Sequence, residues 1–278
     1  MFERLANSWR LTKASARVLS ADKELVVFPL VSAATLLLVT ATFALPLFLA
    51  EGADKVLGGV VGYAVGFLFY LTSYFVIFFC NSALVGAAMI RLRGGDPTVA
   101  DGFRIASSKV GTIFGYALIA ATVGVILKAL QERAGFIGKI IISLVGMAWN
   151  LATFLVVPVL VVEDVTPVDA VKRSMALLKK TWGEQVIGGF SIGVVTTLAT
   201  VLLTLIGIPV IFMAVATQSA VLIGLSIGGL VLSFMLLMLV NATLSGIYTA
   251  ALYRYAAEGT FSQGFEPEMV EGAFRPKG

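Results

Sequence analysis

The sequence contains no histidine and a single cysteine, Cys80, which sits inside an apolar run. A lone cysteine cannot close an intrachain disulfide. Without histidine there is neither a His/Cys metal cluster nor imidazole acid–base chemistry. Charge is also scarce: Asp, Glu, Lys and Arg together make up 13% of the chain, against roughly 25% in soluble domains. All 16 acidic residues lie outside or at the edge of the long apolar runs, so the mid-membrane carboxylate of an ion-coupled transporter is missing. No nucleophile stands beside a base. The expectation is a protein that is not an enzyme and needs no cofactor and no metal.

What is abundant is apolar. Hydrophobic residues reach 59%, more than a water-soluble body of this size can hide. Runs of about 20 apolar residues cross roughly 30 Å of hydrocarbon. Six are present: Leu25–Leu49, Val56–Ile90, Gly111–Leu127, Ile140–Val162, Val186–Val215 and Ser219–Tyr253. The weakest boundary is Ala216-Thr217-Gln218. The first run and its basic leader are too long for a signal peptide, so it reads as an uncleaved helix. Assigning the connecting segments to alternate sides puts 16 basic residues on one side and four on the other. The positive-inside rule then places both termini and the segments 91–110 and 163–185 in the cytoplasm.

The three large basic segments share a design. Each is an amphipathic stretch leading into a membrane run, here called a lead-in helix. Phe2, Leu5, Trp9, Thr12, Ala16 and Leu19 form one stripe at helical spacing. Val99, Phe103, Ala106 and Val110 form the second, after Asp96-Pro97. Val168, Val171, Met175, Leu178 and Trp182 form the third, after Thr166-Pro167. Thr166 suits a cap, Pro167 the first turn, and Asp169 the positive helix end. The expected fold is therefore an all-α, polytopic transmembrane bundle of about six spans, residues 1–257. It would be built as three helix-plus-hairpin pseudo-repeats, about 1–91, 92–164 and 165–257, with a flexible cytoplasmic tail over 258–278. The bases Arg10, Lys13, Arg17, Lys172, Arg173, Lys179 and Lys180 are candidates for contact with anionic lipid headgroups on the cytoplasmic face. The alternative is that the lead-in helices pack as a collar under the bundle.

Within the spans, Asn81, Asn150 and Asn241 are the amides that would line a polar pathway or bond across helices. Gly58, Gly62 and Gly66 make a bare stripe, and Gly111/Gly115 and Gly224/Gly228 repeat the spacing. Such stripes mark close helix contact, within the chain or in a homo-oligomer. Pro158 and Pro209 are expected to kink or break their helices, and Lys128 to reach from a helix end toward water.

The segments Asn7-Ser8-Trp9-Arg10-Leu11, Phe28-Pro29-Leu30 and Glu163-Asp164-Val165-Thr166-Pro167-Val168-Asp169-Ala170-Val171-Lys172-Arg173-Ser174 together resemble an uncharacterised prokaryotic family of six-helix membrane proteins. The last is also similar to a motif in the membrane-anchor domains of some glycerophosphodiester phosphodiesterases. The Trp9 and Phe28-Pro29-Leu30 opening alone is similar to a sulfate permease family. The resemblance implies a bacterial-type inner (plasma) membrane protein and brings no catalytic or sulfate-binding residue. The functional expectation is a membrane-organising or partner-binding module whose partners are the bilayer and its anionic lipids, with no nucleic acid. The alternative is a passive channel or permease for a small solute or anion.

Overall fold

The computed structural model describes residues 2–49, 59–182, 193–262 and 265, and every element among them is helical. A lead-in helix α1 (Phe2–Ala21) and a 3-10 turn (Lys23–Val26) precede α2 (Val27–Leu49). Next come α3 (Gly59–Leu92), the second lead-in helix α4 (Val99–Ser108), α5 (Val110–Arg133), α6 (Phe136–Ala152) and the short α7 (Val156–Val162). The third lead-in helix α8 (Pro167–Trp182) is followed by α9 (Gly193–Ala216), α10 (Ala220–Tyr253) and a π turn (Arg254–Glu258). Six helices are long and apolar enough to cross a membrane: Lys23–Phe48, Val61–Leu92, Val110–Arg133, Phe136–Val162, Thr196–Ala216 and Ala220–Glu258. The chain is an all-α polytopic membrane protein. A lead-in helix comes before each pair of spans, but the three have 20, 10 and 16 residues, so the likeness between units is one of order.

The six spans alternate in direction. The lead-in helices therefore gather at one end, the near end, and the connections 134–135 and 217–219 lie at the far end. At 1.5 Å per residue the 34-residue helices α3 and α10 are each about 51 Å long, some 20 Å more than the hydrocarbon. Much of the excess falls at the near end. Phe28, at the start of α2, meets α4 at Gly102 where Gly102 also approaches the Ala83 carbonyl, so α3 beyond Ala83 runs past the start of α2. That projecting part, Ala83–Leu92, is buried together with Ile247–Tyr253 of α10, Val156–Leu160 of α7, Leu177 and Leu178 of α8, and Leu11, Ala14 and Val18 of α1.

The lead-in helices are held by their own chemistry. Thr98 and Asp101 form a reciprocal capping box at the start of α4, Thr98 Oγ1 accepting from the Asp101 amide and Asp101 from the Thr98 amide. The helix thus begins after Thr98 rather than at Asp96-Pro97. Thr166 Oγ1 accepts from the Asp169 amide at 3.2 Å, as the sequence suggests.

The expected stripe on α4 is the buried one, with Ala106 in the core and Val99 and Phe103 packed against it, whereas on α1 and α8 the buried face is shifted from the expected stripe. On α1 the buried face is Leu11, Ala14, Ser15 and Val18, while Trp9 is 60% exposed. On α8 it is Ala170, Ser174, Leu177 and Leu178, while Val168 and Met175 are 52% and 44% exposed. At about 100° per residue the buried faces lie roughly a quarter turn or more from the predicted stripes. Ala14, Ser15, Ala170 and Ser174 let these helices approach closely, with Leu11, Val18, Leu177 and Leu178 buried beside them.

Other expectations are corrected too. The third and fourth helices outrun their apolar runs, α5 extending to Arg133 and α6 starting at Phe136, while Lys128 lies near a helix end as expected. The fourth span breaks at residues 153–155, just ahead of Pro158, whose ring lacks an N–H and crowds the preceding turn. Pro209 lies inside an unbroken α9. The tail does not begin as a free arm: Ser262 and Phe265 are buried because the π turn folds the chain back onto the near end. Gly58, the start of the fifth expected run and most of the tail fall outside the described residues.

Candidate functional site

Two cavities lie side by side around α3. The first, of about 390 Å³, is enclosed by α3, α5, α6 and α7. Its walls are aromatic (Tyr74, Phe78, Tyr116, Trp149, Phe154), and Asn81, Asn150 and Thr153 add neutral polar groups. The Phe78 and Tyr116 rings meet at 4.6 Å, and Tyr74 stacks on Phe78 at 5.7 Å and 12°. Offset ring contacts of this kind stiffen a wall. The broken span supplies the rest, as Thr153 Oγ1 turns back to donate to the Trp149 carbonyl at 2.8 Å.

The second cavity is a lateral cleft of about 650 Å³ between α2, α3 and α10. Pro29, Leu30, Leu37, Ile77, Met235 and Met238 supply apolar wall. Ser32, Cys80, Asn81, Asn241, Ser245 and Thr249 supply polar groups, and no charged side chain lines it. Asn81 lines both cavities. Its Oδ1 lies beside Gly246 of α10, whose missing side chain makes room for Leu84.

The three candidate amides are thus brought to one region, two to each cavity. Asn241 is paired, its Oδ1 accepting from Thr196 Oγ1. The carboxamides of Asn81 and Asn150 have no hydrogen-bond partner among the described residues. Asn150 is exposed and Asn81 half-buried, so both carboxamides are open to a water or ligand.

The glycine stripes fare differently. A Cβ on Gly66, Gly111, Gly224 or Gly228 would meet nothing within 4 Å, so these glycines face open space in the single chain. Gly115 meets a neighbour closely, Pro167, where a Cβ would stand 2.7 Å from the ring. Gly62 lies on α3, half-buried. Besides Gly115, glycines outside the predicted set that allow close approach include Gly86, Gly102, Gly207 and Gly246. Spacing could not single them out, because each is matched to one bulky side chain from elsewhere in the chain: Ile105, Phe28, Leu230 and Leu84.

The candidate bases divide into two sets. Arg173 Nε is bonded to both Glu163 oxygens, at 3.0 and 3.1 Å, and Lys172 reaches Asp169 at 3.2 Å. Arg10, Lys13, Arg17, Lys179 and Lys180 are exposed and form no ion pair with a described residue. On α1 and α8, Lys13, Arg17, Lys172 and Lys179 border the outward apolar residues Trp9, Val168 and Met175. Lys128 turns to Tyr70, its Nζ 3.2 Å from the hydroxyl and 5.5 Å above the ring.

The long motif at 163–174 is accounted for by packing. Glu163 accepts from Arg173 and from the Tyr253 hydroxyl at 3.0 Å, tying α7, α8 and α10 together. Lys109 Nζ binds Asp164 at 2.7 Å and the Glu163 carbonyl at 3.3 Å. Ser174 Oγ accepts from the buried Leu155 amide freed by the helix break. The hydrogen bond from Lys109 holds the Asp164 carboxyl below the usual range. Burial pushes Asp22 up, against the pull of Arg91. Arg254 completes the near end, its Nη1 donating to the Leu92 carbonyl and to Ser262.

No curated protein and no solved structure matches the chain. A family model described as a family of unknown function (DUF6159) matches residues 60–265, well over half of the sequence, and the chain belongs to that family.

Proposed function

We propose that this protein is a non-catalytic module that organises lipid at the cytoplasmic face of a bacterial-type inner membrane. The observation that carries this reading is the outer face of α1 and α8. Exposed Trp9, Val168 and Met175 are bordered by Lys13, Arg17, Lys172 and Lys179, while the opposite faces are buried in protein. A helix that shows apolar residues outward with lysine and arginine at their edge suits the headgroup boundary. Each exposed base adds about 1 kcal/mol beside anionic lipid. The 16-to-4 division of bases supports the near end as the cytoplasmic one. The likeness of the 163–174 motif to membrane-anchor domains agrees with a lipid-facing role. Gly66, Gly111, Gly224 and Gly228 face outward, where a second copy would meet them.

The test is lipid selectivity of the reconstituted full chain, read with spin-labelled phosphatidylglycerol and phosphatidylcholine. The expected result is more immobilised phosphatidylglycerol than phosphatidylcholine at low salt. That preference should fall with added salt and be lost when Arg10, Lys13 and Arg17 are all changed to Gln. Equal immobilisation of the two lipids by the wild type overturns the reading. Sidedness is checked separately with cysteines at positions 100 and 175 in a Cys80→Ser background, which an impermeant thiol reagent added outside should leave unlabelled.

A second reading, passive passage of a small solute or anion, is favoured by one observation: Asn81 stands between two cavities. Solute flux in proteoliposomes, present in the wild type and altered by Asn81→Leu, would support it.

A further inference from the structure

The cleft between α2, α3 and α10 has a polarity gradient along its length. Toward the near end it offers Ser32, Asn81, Ser245 and Thr249, set among Pro29, Leu30 and Leu84. Deeper in the membrane it offers Leu36, Leu37, Ile77, Met235 and Met238. From Met235 to Thr249 on α10 it extends about 21 Å at 1.5 Å per residue, somewhat more than the roughly 15 Å of one leaflet's hydrocarbon. Its volume, about 650 Å³, is that of a ligand site rather than a packing defect. Because it opens sideways from membrane-spanning helices, what fills it comes from the lipid phase.

The polar end defines the head of the occupant. Asn241 Oδ1 is taken by Thr196, and Thr249 Oγ1 donates to the Ser245 carbonyl. The Asn81 carboxamide, without a partner among the described residues, supplies two donors and one acceptor. No lysine, arginine, aspartate or glutamate lines the cleft, so a phosphate or carboxylate drawn to this depth would have no countercharge. A hydroxyl or ester head meets the Asn81 amide with no such penalty.

We propose that this cleft is a binding site for a membrane amphiphile with an uncharged, hydroxyl- and ester-bearing head of the acylglycerol type. The head hydrogen-bonds Asn81, and the acyl chain runs inward between Leu37 and Met238. The site does not depend on the basic helices, so the vesicle-lipid selectivity above and the binding described next can fail separately.

The experiment uses the purified full chain in detergent and a 1-monoacylglycerol carrying a diazirine in its chain, with cross-links mapped by mass spectrometry. Labels are expected on residues 29–37 and 235–249. Excess 1-oleoylglycerol should reduce them about tenfold, a difference of about 1.4 kcal/mol, while equal concentrations of oleate or dioleoylphosphatidylglycerol leave them in place. Ala242→Trp, which fills the cleft from an exposed lining position, should abolish the labels. Asn81→Ala should weaken competition by 1-oleoylglycerol, and the melting temperature of each variant shows that it is folded. Labels spread evenly over the lipid-facing surfaces of α6 and α9 would overturn the proposal. So would equal competition by the charged lipids, or full labelling of folded Ala242→Trp.

Discussion

The two ends of this molecule are held together by different means. At the near end, Leu155, Leu160, Ile247 and Leu252 are wholly buried among five or more helices, and ion pairs such as Glu163 with Arg173 fasten the rim. At the far end the helices keep their length but few of their contacts. Leu205 and Leu225 are 66% and 68% exposed. The difference shows where the chain relies on itself and where it relies on lipid. The near end encloses its own core as a soluble domain does, whereas the far end reaches close packing only when acyl chains complete it.

This contrast can be broken most directly by cavities. Leu160→Ala removes a fully buried side chain and should cost about 3 kcal/mol, seen as a lower melting temperature in detergent. Leu205→Ala, made at the far end, should leave the transition almost where it was. If the two variants melt alike, the near end is not the cooperative unit.

Overpacking should give a smaller effect of the same kind. A Cβ on Gly102 would stand 2.7 Å from the Ala83 carbonyl oxygen and overlap the Phe28 ring, so Gly102→Leu should destabilise by about 2 kcal/mol. Gly224→Leu meets nothing within 4 Å and should be tolerated by the monomer. Its readout is then the oligomer population, which the change lowers if copies meet at that stripe.

The smallest effects are electrostatic. The Thr98 hydroxyl and amide hold the Asp101 carboxyl below its ordinary value of 3.8. Its contribution is therefore complete above the unfolded value and lost as pH falls through the lower folded one. Hydrogen exchange in the first turn of α4 should quicken below about pH 4, and Asp101→Asn should remove that dependence. Asp22 has the opposite sign: burial raises its folded value, so its ionisation opposes folding as pH rises. Asp22→Asn should raise the melting temperature at pH 7 but not at pH 3.

The sequence reveals what depends on local chemistry. The six spans, their alternation and the cap at Thr166 follow from apolar length, basic charge and hydroxyl placement. It conceals what depends on which neighbour arrives. Trp9 and Leu11 are both apolar and a quarter turn or more apart, and only the approach of α10 decides that Leu11 is the buried one. Gly102 and Gly224 look alike in a sequence, yet one lies against Phe28 and the other in the open. The cap at Thr98 was accessible, since Thr98-Val99-Ala100-Asp101 fits the capping-box spacing. Asn81 was visible as a polar residue in a span. Its place between two cavities was not, because the second wall of each comes from helices far along the chain.

The bond from Arg254 to the last carbonyl of α3 joins residues 162 positions apart. It has a consequence for biosynthesis. Contacts of such separation form late, and a chain emerging from the ribosome cannot make this one until its sixth span has been threaded. Until then α1, already synthesised, lacks its main partner for the face that carries Leu11, whereas α4 already packs on α3. A nascent chain stopped after the fifth span therefore shows the membrane surface an amphipathic α1 whose Leu11 face is largely bare, and α10 is the element whose arrival closes it.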